Sequence, residues 1–234
     1  MSQEHRKLCI LKAVRGLFSQ KGLSATSREI SEAAGVSEAL IYKHFDSKEG
    51  LYNALLDQVC HAADEVGSEL AEMEASTDVL IMATYLLVHI KISGFDVEDE
   101  GFSLSSHEAC GLILQSLQTD GEVAQTIFGT GFGPWVKYFV EGLKAAKRVG
   151  DLHPTDLPFE TLVWITHHAM AGVKMVRHPK KSAFMAEEIE EEKLKERLLI
   201  YSLRGMGVKD EAIHRVLKTQ EFKKFKKRLS RQGA

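Results

Sequence analysis

The chain has 234 residues, of which 44% are hydrophobic and 27% are charged, and its formal net charge is −3. This length holds one large domain or two small ones, and the composition is that of an ordinary globular protein. The longest apolar run, Val79–Val88, is too short to span a bilayer, and the first residues lack the apolar core of a signal peptide, so we expect a cytoplasmic protein that does not bind a membrane.

The first predicted element is an amphipathic helix. Its apolar residues follow the spacing of one helix face; they are Ile10, Ala13, Val14, Leu17 and Phe18. Lys21 and Gly22 are typical of a helix end, because glycine adopts the left-handed conformation that often closes a helix.

Residues 26–51, TSREISEAAGVSEALIYKHFDSKEGL, predict two short helices joined by a tight turn. Thr26 and Glu29 fit the capping box at the start of the first helix. Gly35 stands where the chain must reverse, and glycine takes a positive φ without steric cost. Ser37 can cap the second helix. This pattern is typical of a helix-turn-helix, in which the second helix enters the major groove of DNA.

The second short helix is predicted to run for about two turns, up to Phe45. Ile41 and Phe45 should point inward, which leaves Glu38, Ala39, Tyr42 and Lys43 facing outward. A long helix should follow, from Lys48 to about Ala75, with a length of roughly 40 Å. Such a helix can connect a DNA-binding head to a second module.

Five elements in this region occur in order: F-x-x-x-G, T-x-x-x-I, A-G-V-S, I-Y-x-H-F and S-K-E-x-L. On these motifs, residues 8–55 resemble the N-terminal domain of the TetR-type (TetR/AcrR) transcriptional repressor family. Two positions depart from the family pattern, since Ser31 stands where Ala is usual and Ala39 where Gly is frequent. Both residues remain small, and Ala39 bears on how closely the second helix can approach a base edge.

The resemblance implies an all-α fold with a three-helix helix-turn-helix domain and a larger helical domain that binds an effector and dimerises. We place the first domain at residues 1–50 and the second at 51–205, followed by a basic C-terminal extension at 206–234. The expected function is sequence-specific DNA binding by a repressor that a small molecule releases from its operator.

The candidate DNA-binding residues fall into two groups. Contacts to phosphate are expected from hydroxyl, N–H and basic groups, including those at a helix N-terminus: Thr26, Ser27, Tyr42, His44 and Lys48. Contacts to base edges are expected from the turn and the outward face: Arg28, Ser37, Glu38, Ala39 and Lys43. For Tyr42 and His44, local packing is the alternative role.

Further helices are predicted along the rest of the chain. They are separated by polar or glycine-rich breaks at Gly94–Gly101 and at GTGFGP (129–134), and they cover Val79–Ile92, Ser105–Leu117, Asp120–Phe128 and Trp135 to near Gly150. Two later helices, Asp156–Arg177 and Glu187–Leu203, complete the body. The first of these is apolar on more than one face and therefore needs a large core or a partner. By resemblance, these two helices form a four-helix homodimer interface, and a two-fold dimer would read a pseudo-palindromic operator.

Family members bind a small molecule in the second domain, and such pockets are apolar with a few convergent polar groups. We expect a small apolar or amphipathic effector of unknown identity. Its candidate lining residues are Tyr85, His89, Leu114, Phe128, Trp135, Phe139, Trp164 and His168. Each of these could equally be an ordinary core residue. The effector must bind the DNA-incompetent state more tightly to shift the equilibrium.

No motif indicates catalysis, a metal or a cofactor. The glycines at 129–133 are followed by Pro134, which breaks a phosphate-binding pattern. The adjacent His167 and His168 would point apart on a helix, and no metal-ligand spacing or nucleophile motif occurs. A DNA-bound architectural protein without an effector is the main alternative, and a helical enzyme is the more remote one. The three cysteines, Cys9, Cys60 and Cys110, are expected to be reduced core residues.

The C-terminal extension is basic. Residues 218–234 hold 7 Lys and Arg against 1 Asp or Glu, and residues 1–51 hold 8 against 6, so the body between them is acidic. In the tail, Phe222 and Phe225 alternate with lysines to form a basic amphipathic segment. Three interpretations stay open: a solvated and partly disordered end, an arm packed on the body or on a partner subunit, and an additional contact to phosphate.

Overall fold

The structure is a computed structural model that describes residues 2–57, 70, 72–93, 106–118, 121–177 and 189–232. Within these residues the regular elements are all helical, and the one extended pairing is an isolated bridge between Leu152 and Val208. The predicted all-α fold is therefore confirmed.

Twelve α-helices are described, and we number them in chain order. They are α1 (Gln3–Lys21), α2 (Ser27–Ala34), α3 (Glu38–His44), α4 (48–57), α5 (Thr77–Ile92), α6 (Ser106–Leu117), α7 (Glu122–Thr126), α8 (Gly133–Arg148), α9 (Phe159–Arg177), α10 (Glu191–Gly205), α11 (Asp210–Leu217) and α12 (Gln220–Gln232). A short 3-10 turn, Gly22–Ser24, follows α1, and a π-helical segment, Ile127–Phe132, follows α7.

The chain divides into two compact units. The N-terminal unit comprises Met1–Glu65 and Asp96–Phe132, and the C-terminal unit comprises Val66–Phe95 and Gly133–Ala234. The N-terminal unit thus holds α6 and α7 together with α1 to α4, although the sequence placed residues 106–126 in the second domain. The predicted domain limits at residues 50 and 205 stay predictions.

Several helix boundaries differ from the sequence prediction. Helix α9 begins at Phe159 instead of Asp156, and α10 begins at Glu191. The GTGFGP break is wrong, because the π-helical segment leads directly into α8 at Gly133. Pro134 is tolerated there, since the first turn of a helix does not need its N–H group. Of the helix predicted to reach Ala75, residues 48–57 and residue 70 are described as helical, and residues 72–76 are not helical. Ser76 instead caps α5 by accepting a hydrogen bond from the Val79 N–H.

The N-terminal unit is built on α1, which lies against α2 and α6. Ile10, Val14 and Phe18 are buried on this helix as predicted, whereas Ala13 is exposed. Helix α6 comes very close at Gly111, where a Cβ atom would lie 2.6 Å from the Ser19 carbonyl oxygen. The missing side chain at position 111 therefore sets the distance between the two helices.

The C-terminal unit is built around α5. This helix lies against α8, α9, α10, α11 and α12, and most of its side chains are buried. Gly142 of α8 lies against Leu80 at a distance that leaves little room for a side chain. A helix covered on all sides explains the nearly continuous apolar run of residues 79–88.

The C-terminal extension belongs to the folded body, so its interpretation as a solvated, partly disordered end is wrong. Arg215 of α11 donates to the buried Asp151 carboxylate over 2.6 Å, and the Thr77 hydroxyl donates to the same group over 2.7 Å. The Lys209 N–H donates to the Asp151 carbonyl oxygen over 2.9 Å. The Arg215 guanidinium lowers the pKa of Asp151, and the Thr77 hydrogen bond acts in the same direction.

The prediction that the three cysteines are core residues holds for one of the two that the structure describes. Cys110 is buried, as predicted. Cys9 is exposed, so the prediction of a core position is wrong, because Cys9 lies outside the buried stripe of α1. Cys60 lies outside the described residues.

Candidate nucleic-acid interface

Helices α2 and α3 form a helix-turn-helix that is anchored to the core by buried apolar side chains. Ile30 of α2, Ile41 of α3 and Phe45 are buried. Gly35 joins the helices with φ 63° and ψ 27°, the left-handed conformation that the sequence predicted for this turn. The buried side chains hold both helices on α1, so the opposite face of α3 is left outside.

The start of α2 is closed by the predicted capping box. The Glu29 N–H donates to the Thr26 hydroxyl over 3.3 Å, and the Thr26 N–H donates to the Glu29 carboxylate over 3.0 Å. Lys21, at the end of α1, donates to the other carboxylate oxygen. The Lys21 hydrogen bond, with those from Thr26, lowers the pKa of Glu29 to about 2. Glu29 therefore stays ionised and ties the ends of α1 and α2 together.

A hydrogen bond of 2.7 Å joins the Ser27 and Tyr42 hydroxyls. It connects the first turn of α2 to the middle of α3, and Tyr42 is half-buried. The two residues were singled out separately in the sequence, but a separation of fifteen positions follows no helical period that could have paired them. Their hydroxyl groups can orient each other as well as contact phosphate.

The outward face of α3 carries Glu38, Ala39 and Lys43, all exposed. Ser37 caps the helix by accepting a hydrogen bond from the Leu40 N–H over 3.3 Å. Lys43 makes no hydrogen bond or ion pair with another described residue. The structure thus brings three of the five base-edge candidates onto one accessible helix face.

The remaining candidates lie around this face. Arg28 is exposed on α2 and donates to Glu32 over 2.9 Å. The Lys48 ammonium donates to the Leu23 carbonyl oxygen over 2.6 Å, which leaves two of its three N–H groups for other acceptors. His44 is half-buried, and its Nδ1 atom has no hydrogen-bond partner among the described residues.

The effector candidates fall in both units of the chain. Leu114 and Phe128 belong to the N-terminal unit, and both are half-buried. In the C-terminal unit, Tyr85 and His89 are buried with ring centres 6.3 Å apart. The remaining four, Trp135, Phe139, Trp164 and His168, lie on α8 and α9.

Two residues that the sequence did not assign to an effector site lie against Tyr85. The Phe222 and Phe225 rings of α12 pack edge-on to the Tyr85 ring, with centroid distances of 5.4 Å and 6.5 Å. Their spacing of three residues on a basic amphipathic segment had indicated a buried face. That spacing does not indicate that the helix against which they pack is α5.

The predicted dimer helices carry large apolar side chains that are exposed. Ile165 of α9 is 56% exposed and Tyr201 of α10 is 66% exposed. Helices α9 and α10 also lie against each other. Exposed apolar side chains mark an interaction surface where they form one contiguous patch. No helix in the described part of the chain is long and apolar enough to cross a membrane.

The comparisons with known proteins agree with this geometry. A family model described as "Bacterial regulatory proteins, tetR family" matches residues 10–55, which contain α2 and α3. The HTH-type transcriptional regulator EthR of Mycobacterium tuberculosis is 31% identical over 163 residues, covering 69% of this chain and 70% of that protein.

Two other matches extend the comparison. The regulatory protein RaaS of Mycobacterium tuberculosis is 31% identical over 128 residues, covering 55% of this chain and about half (52%) of its own length. The crystal structure of a TetR-family regulator from Rhodococcus sp. superposes with a TM-score of 0.62 at 20% identity, covering 86% of this chain and 99% of that one. The structural likeness shows a shared fold.

Proposed function

The chain belongs to the TetR family of bacterial regulatory proteins, and from this we propose that it represses transcription at a pseudo-palindromic operator until a small-molecule effector releases it. As a member of this family it is a DNA-binding transcriptional regulator. Regulators of the family bind operator DNA, dimerise and bind small-molecule ligands. The family is one of regulators rather than enzymes.

The outward face of α3 is the observation that carries the proposal. Its buried side supplies Ile41 to the core, while Glu38, Ala39 and Lys43 project from a capped helix of seven residues. A short helix held in this way fits a major groove, and its exposed side chains can reach base edges. Lys43 suits the acceptors of guanine, and Glu38 suits the amino group of cytosine.

Phosphate contacts would surround this face. Lys48 keeps two donors available beside its bond to Leu23, and the Ser27–Tyr42 pair lies at the junction of α2 and α3. These contacts would set the register of the head on DNA without reading the sequence. The N-terminus of α2 adds partial positive charge at the same place.

Self-association follows from the length of α3. One helix of seven residues reads few base pairs, whereas a two-fold dimer reads two half-sites about one helical turn of DNA apart. The exposed Ile165 and Tyr201 support a pairing surface on α9 and α10. Pairing through these helices is the arrangement we propose.

A selection of bound DNA from a random pool tests the function directly. We expect enrichment of an inverted repeat whose half-sites share one sequence. Sequence-independent binding with strong salt dependence would instead indicate an architectural protein and would overturn the proposal. The selected DNA then serves to screen small molecules, since an effector must lower operator affinity at saturation.

A further inference from the structure

Helix α12 rests on α5 through a narrow apolar stripe. Phe222, Phe225 and Leu229 are buried, with exposures of 5%, 8% and 2%. The two phenylalanine rings lie edge-on to Tyr85, as described above, and the rest of the helix is strongly polar. The buried face of α12 therefore consists of two aromatic side chains and one leucine.

Beneath these rings, Tyr85 has a buried hydroxyl group without a hydrogen-bond partner among the described residues. The side chain is only 2% exposed. A buried tyrosine hydroxyl normally finds a partner, because leaving it without one costs free energy. The Tyr85 hydroxyl is thus a hydrogen-bond donor that no described residue uses.

The charged groups nearby already have partners. Lys195 is buried and lies 2.9 Å from the Glu191 carboxylate and 2.7 Å from that of Glu192. Lys226 of α12 lies 3.1 Å from Glu192. A charged molecule placed here would have to separate these pairs, and burying an unpaired charge is costly.

The two ring side chains on α5 are uncharged near neutral pH. Burial raises the pKa of the Tyr85 phenol. Burial, followed by the positive charge of Lys195, lowers the pKa of His89. Aromatic walls with uncharged hydrogen-bonding groups suit an uncharged molecule that has an apolar body and an oxygen acceptor.

We propose that the face of α5 around Tyr85 is the effector site, that α12 is its cover, and that an uncharged amphipathic molecule displaces Phe222 and Phe225 and accepts a hydrogen bond from the Tyr85 hydroxyl. The acceptor on the molecule is a carbonyl, ether or hydroxyl oxygen. This inference rests on the proposed response to a small molecule and specifies where and what it binds.

The interactions that keep α12 in place are few enough for a ligand to displace the helix. Its outward face carries Lys223, Lys224 and Lys227, which are exposed and form no ion pair with another described residue. Lys223 and Lys227 are four positions apart, a spacing at which like charges weaken a helix. The Lys226–Glu192 pair opposes this at the edge of the aromatic contact. A ligand for this site binds only the molecules in which α12 has moved away from Tyr85, which we call open. The apparent affinity of the ligand is therefore the affinity of the open state multiplied by the fraction of open molecules.

Fluorescence titration of the full chain with Nile red, an uncharged dye with an apolar body and a carbonyl oxygen, tests the site. Phe222→Ala should lower the apparent Kd about tenfold, because a larger fraction of molecules is open. Tyr85→Phe should raise the Kd about fivefold through loss of one hydrogen bond, while raising the melting temperature. Tyr52→Phe is the matched control, since Tyr52 is equally buried in the N-terminal unit, and it should leave dye binding unchanged.

A second pair of variants tests the cover and keeps every aromatic side chain, although the Lys226 ammonium also lies 5.9 Å from the centre of the Tyr85 ring. Lys226→Gln removes the ion pair with Glu192 and should strengthen dye binding severalfold. Lys223→Gln, on the outward face of the same helix, relieves the like-charge spacing with Lys227 and should leave dye binding unchanged or slightly weaker. These variants keep the aromatic side chains, so they remain informative even if Phe222→Ala folds poorly by circular dichroism.

Two results would overturn the inference: an unchanged Kd in Tyr85→Phe, or equal Kd values for Lys226→Gln and Lys223→Gln. Operator selection in the absence of dye distinguishes a failure of the proposed site from a failure of the proposed function. If an operator is selected and the dye results fail, the site alone is wrong. If no operator is selected, the proposed function fails first.

Discussion

At the scale of single residues, the head separates the exposed side chains that we propose read DNA from side chains that hold its shape. Glu38 and Lys43 are exposed on α3 and form no hydrogen bond or ion pair with another described residue, so they are available for base edges. Ser27, Tyr42 and Lys48 each make one hydrogen bond inside the head. Changes in the first group should alter sequence preference, and changes in the second should alter affinity.

Glu38→Ala and Lys48→Ala should therefore have different effects on DNA binding. We expect Glu38→Ala to change the preferred base at one position of each half-site, with discrimination there falling by about 1–3 kcal/mol. Lys48→Ala should weaken all sites about equally and reduce the salt dependence. Binding of the selected operator and its single-base variants at several salt concentrations checks both. A uniform loss in Glu38→Ala would contradict its role at a base edge.

Asp151 makes the stability of the C-terminal unit depend on pH. Because Arg215 and Thr77 lower its pKa in the folded chain, the stabilisation is present above the ordinary pKa of about 3.9 and is lost as pH falls through the folded value. Asp151→Asn should lower the free energy of unfolding at pH 7 by about 1.5–3 kcal/mol, and the loss should shrink at acid pH.

Urea unfolding between pH 3 and pH 7 measures this effect. The matched control is Asp210→Asn, which removes a pair with Arg204 between two exposed side chains. Its effect should be clearly smaller, because exposed pairs are screened by solvent. Equal effects of the two substitutions would show that the buried position of Asp151 contributes nothing special.

At the scale of elements, the sequence predicted most helices because their causes are local. The capping box at Thr26, the left-handed Gly35 and the cap at Ser37 are each visible within a few residues, and all three occur in the structure. The GTGFGP break failed for the opposite reason: glycines and a proline permit a turn but do not require one, and Pro134 fits the first turn of α8.

Partners between distant elements were beyond sequence reasoning. Nothing in the periodicity of α12 indicates that it packs on α5, and nothing in α1 indicates that α6 lies against it. The Ser27–Tyr42 bond shows the same limit within the candidate site. Helical spacing identifies which side of a helix is buried, but the surface that buries it depends on the path of the whole chain.

Thr26→Ala should show what one cap contributes to the head. It removes the acceptor for the Glu29 N–H, and we expect a loss of about 1 kcal/mol in stability of the N-terminal unit. Thr26→Ser, which keeps the hydroxyl, should behave like the parent. Denaturant unfolding with operator binding in parallel provides the measurement. If both substitutions reduce DNA affinity equally, the methyl group of Thr26 rather than its hydroxyl matters.

At the scale of the whole molecule, the residues beyond 205 complete the C-terminal unit. Ile213 and Val216 of α11 are fully buried, and the pairing of Leu152 with Val208 joins the segment before α11 to the loop after α8. The sequence analysis set residues 206–234 apart as a basic C-terminal extension. The basic composition of residues 206–234 does not predict that Ile213 and Val216 are buried in the C-terminal unit.

Truncation after Gly207 should therefore destabilise the protein. Loss of α11 and α12 exposes apolar surface on α5 and leaves the Asp151 carboxylate without Arg215. We expect a fall of several kcal/mol in the free energy of unfolding. A truncation after Lys218, which keeps α11 but removes α12, should be milder. Circular dichroism melting curves compare the two, and an unchanged melting temperature in the shorter chain would contradict the expectation.

The contact between Gly111 and Ser19 has a consequence for how this protein can vary. The carbonyl oxygen that meets Gly111 belongs to the main chain, so any residue at position 19 supplies it, whereas any side chain at position 111 would collide with it. The restriction is one-sided. In a library that randomises both positions, functional clones should keep glycine at 111, whereas position 19, whose side chain also lies close to Gly111, should accept other small residues. The choice at position 19 would then not depend on a matching change at 111.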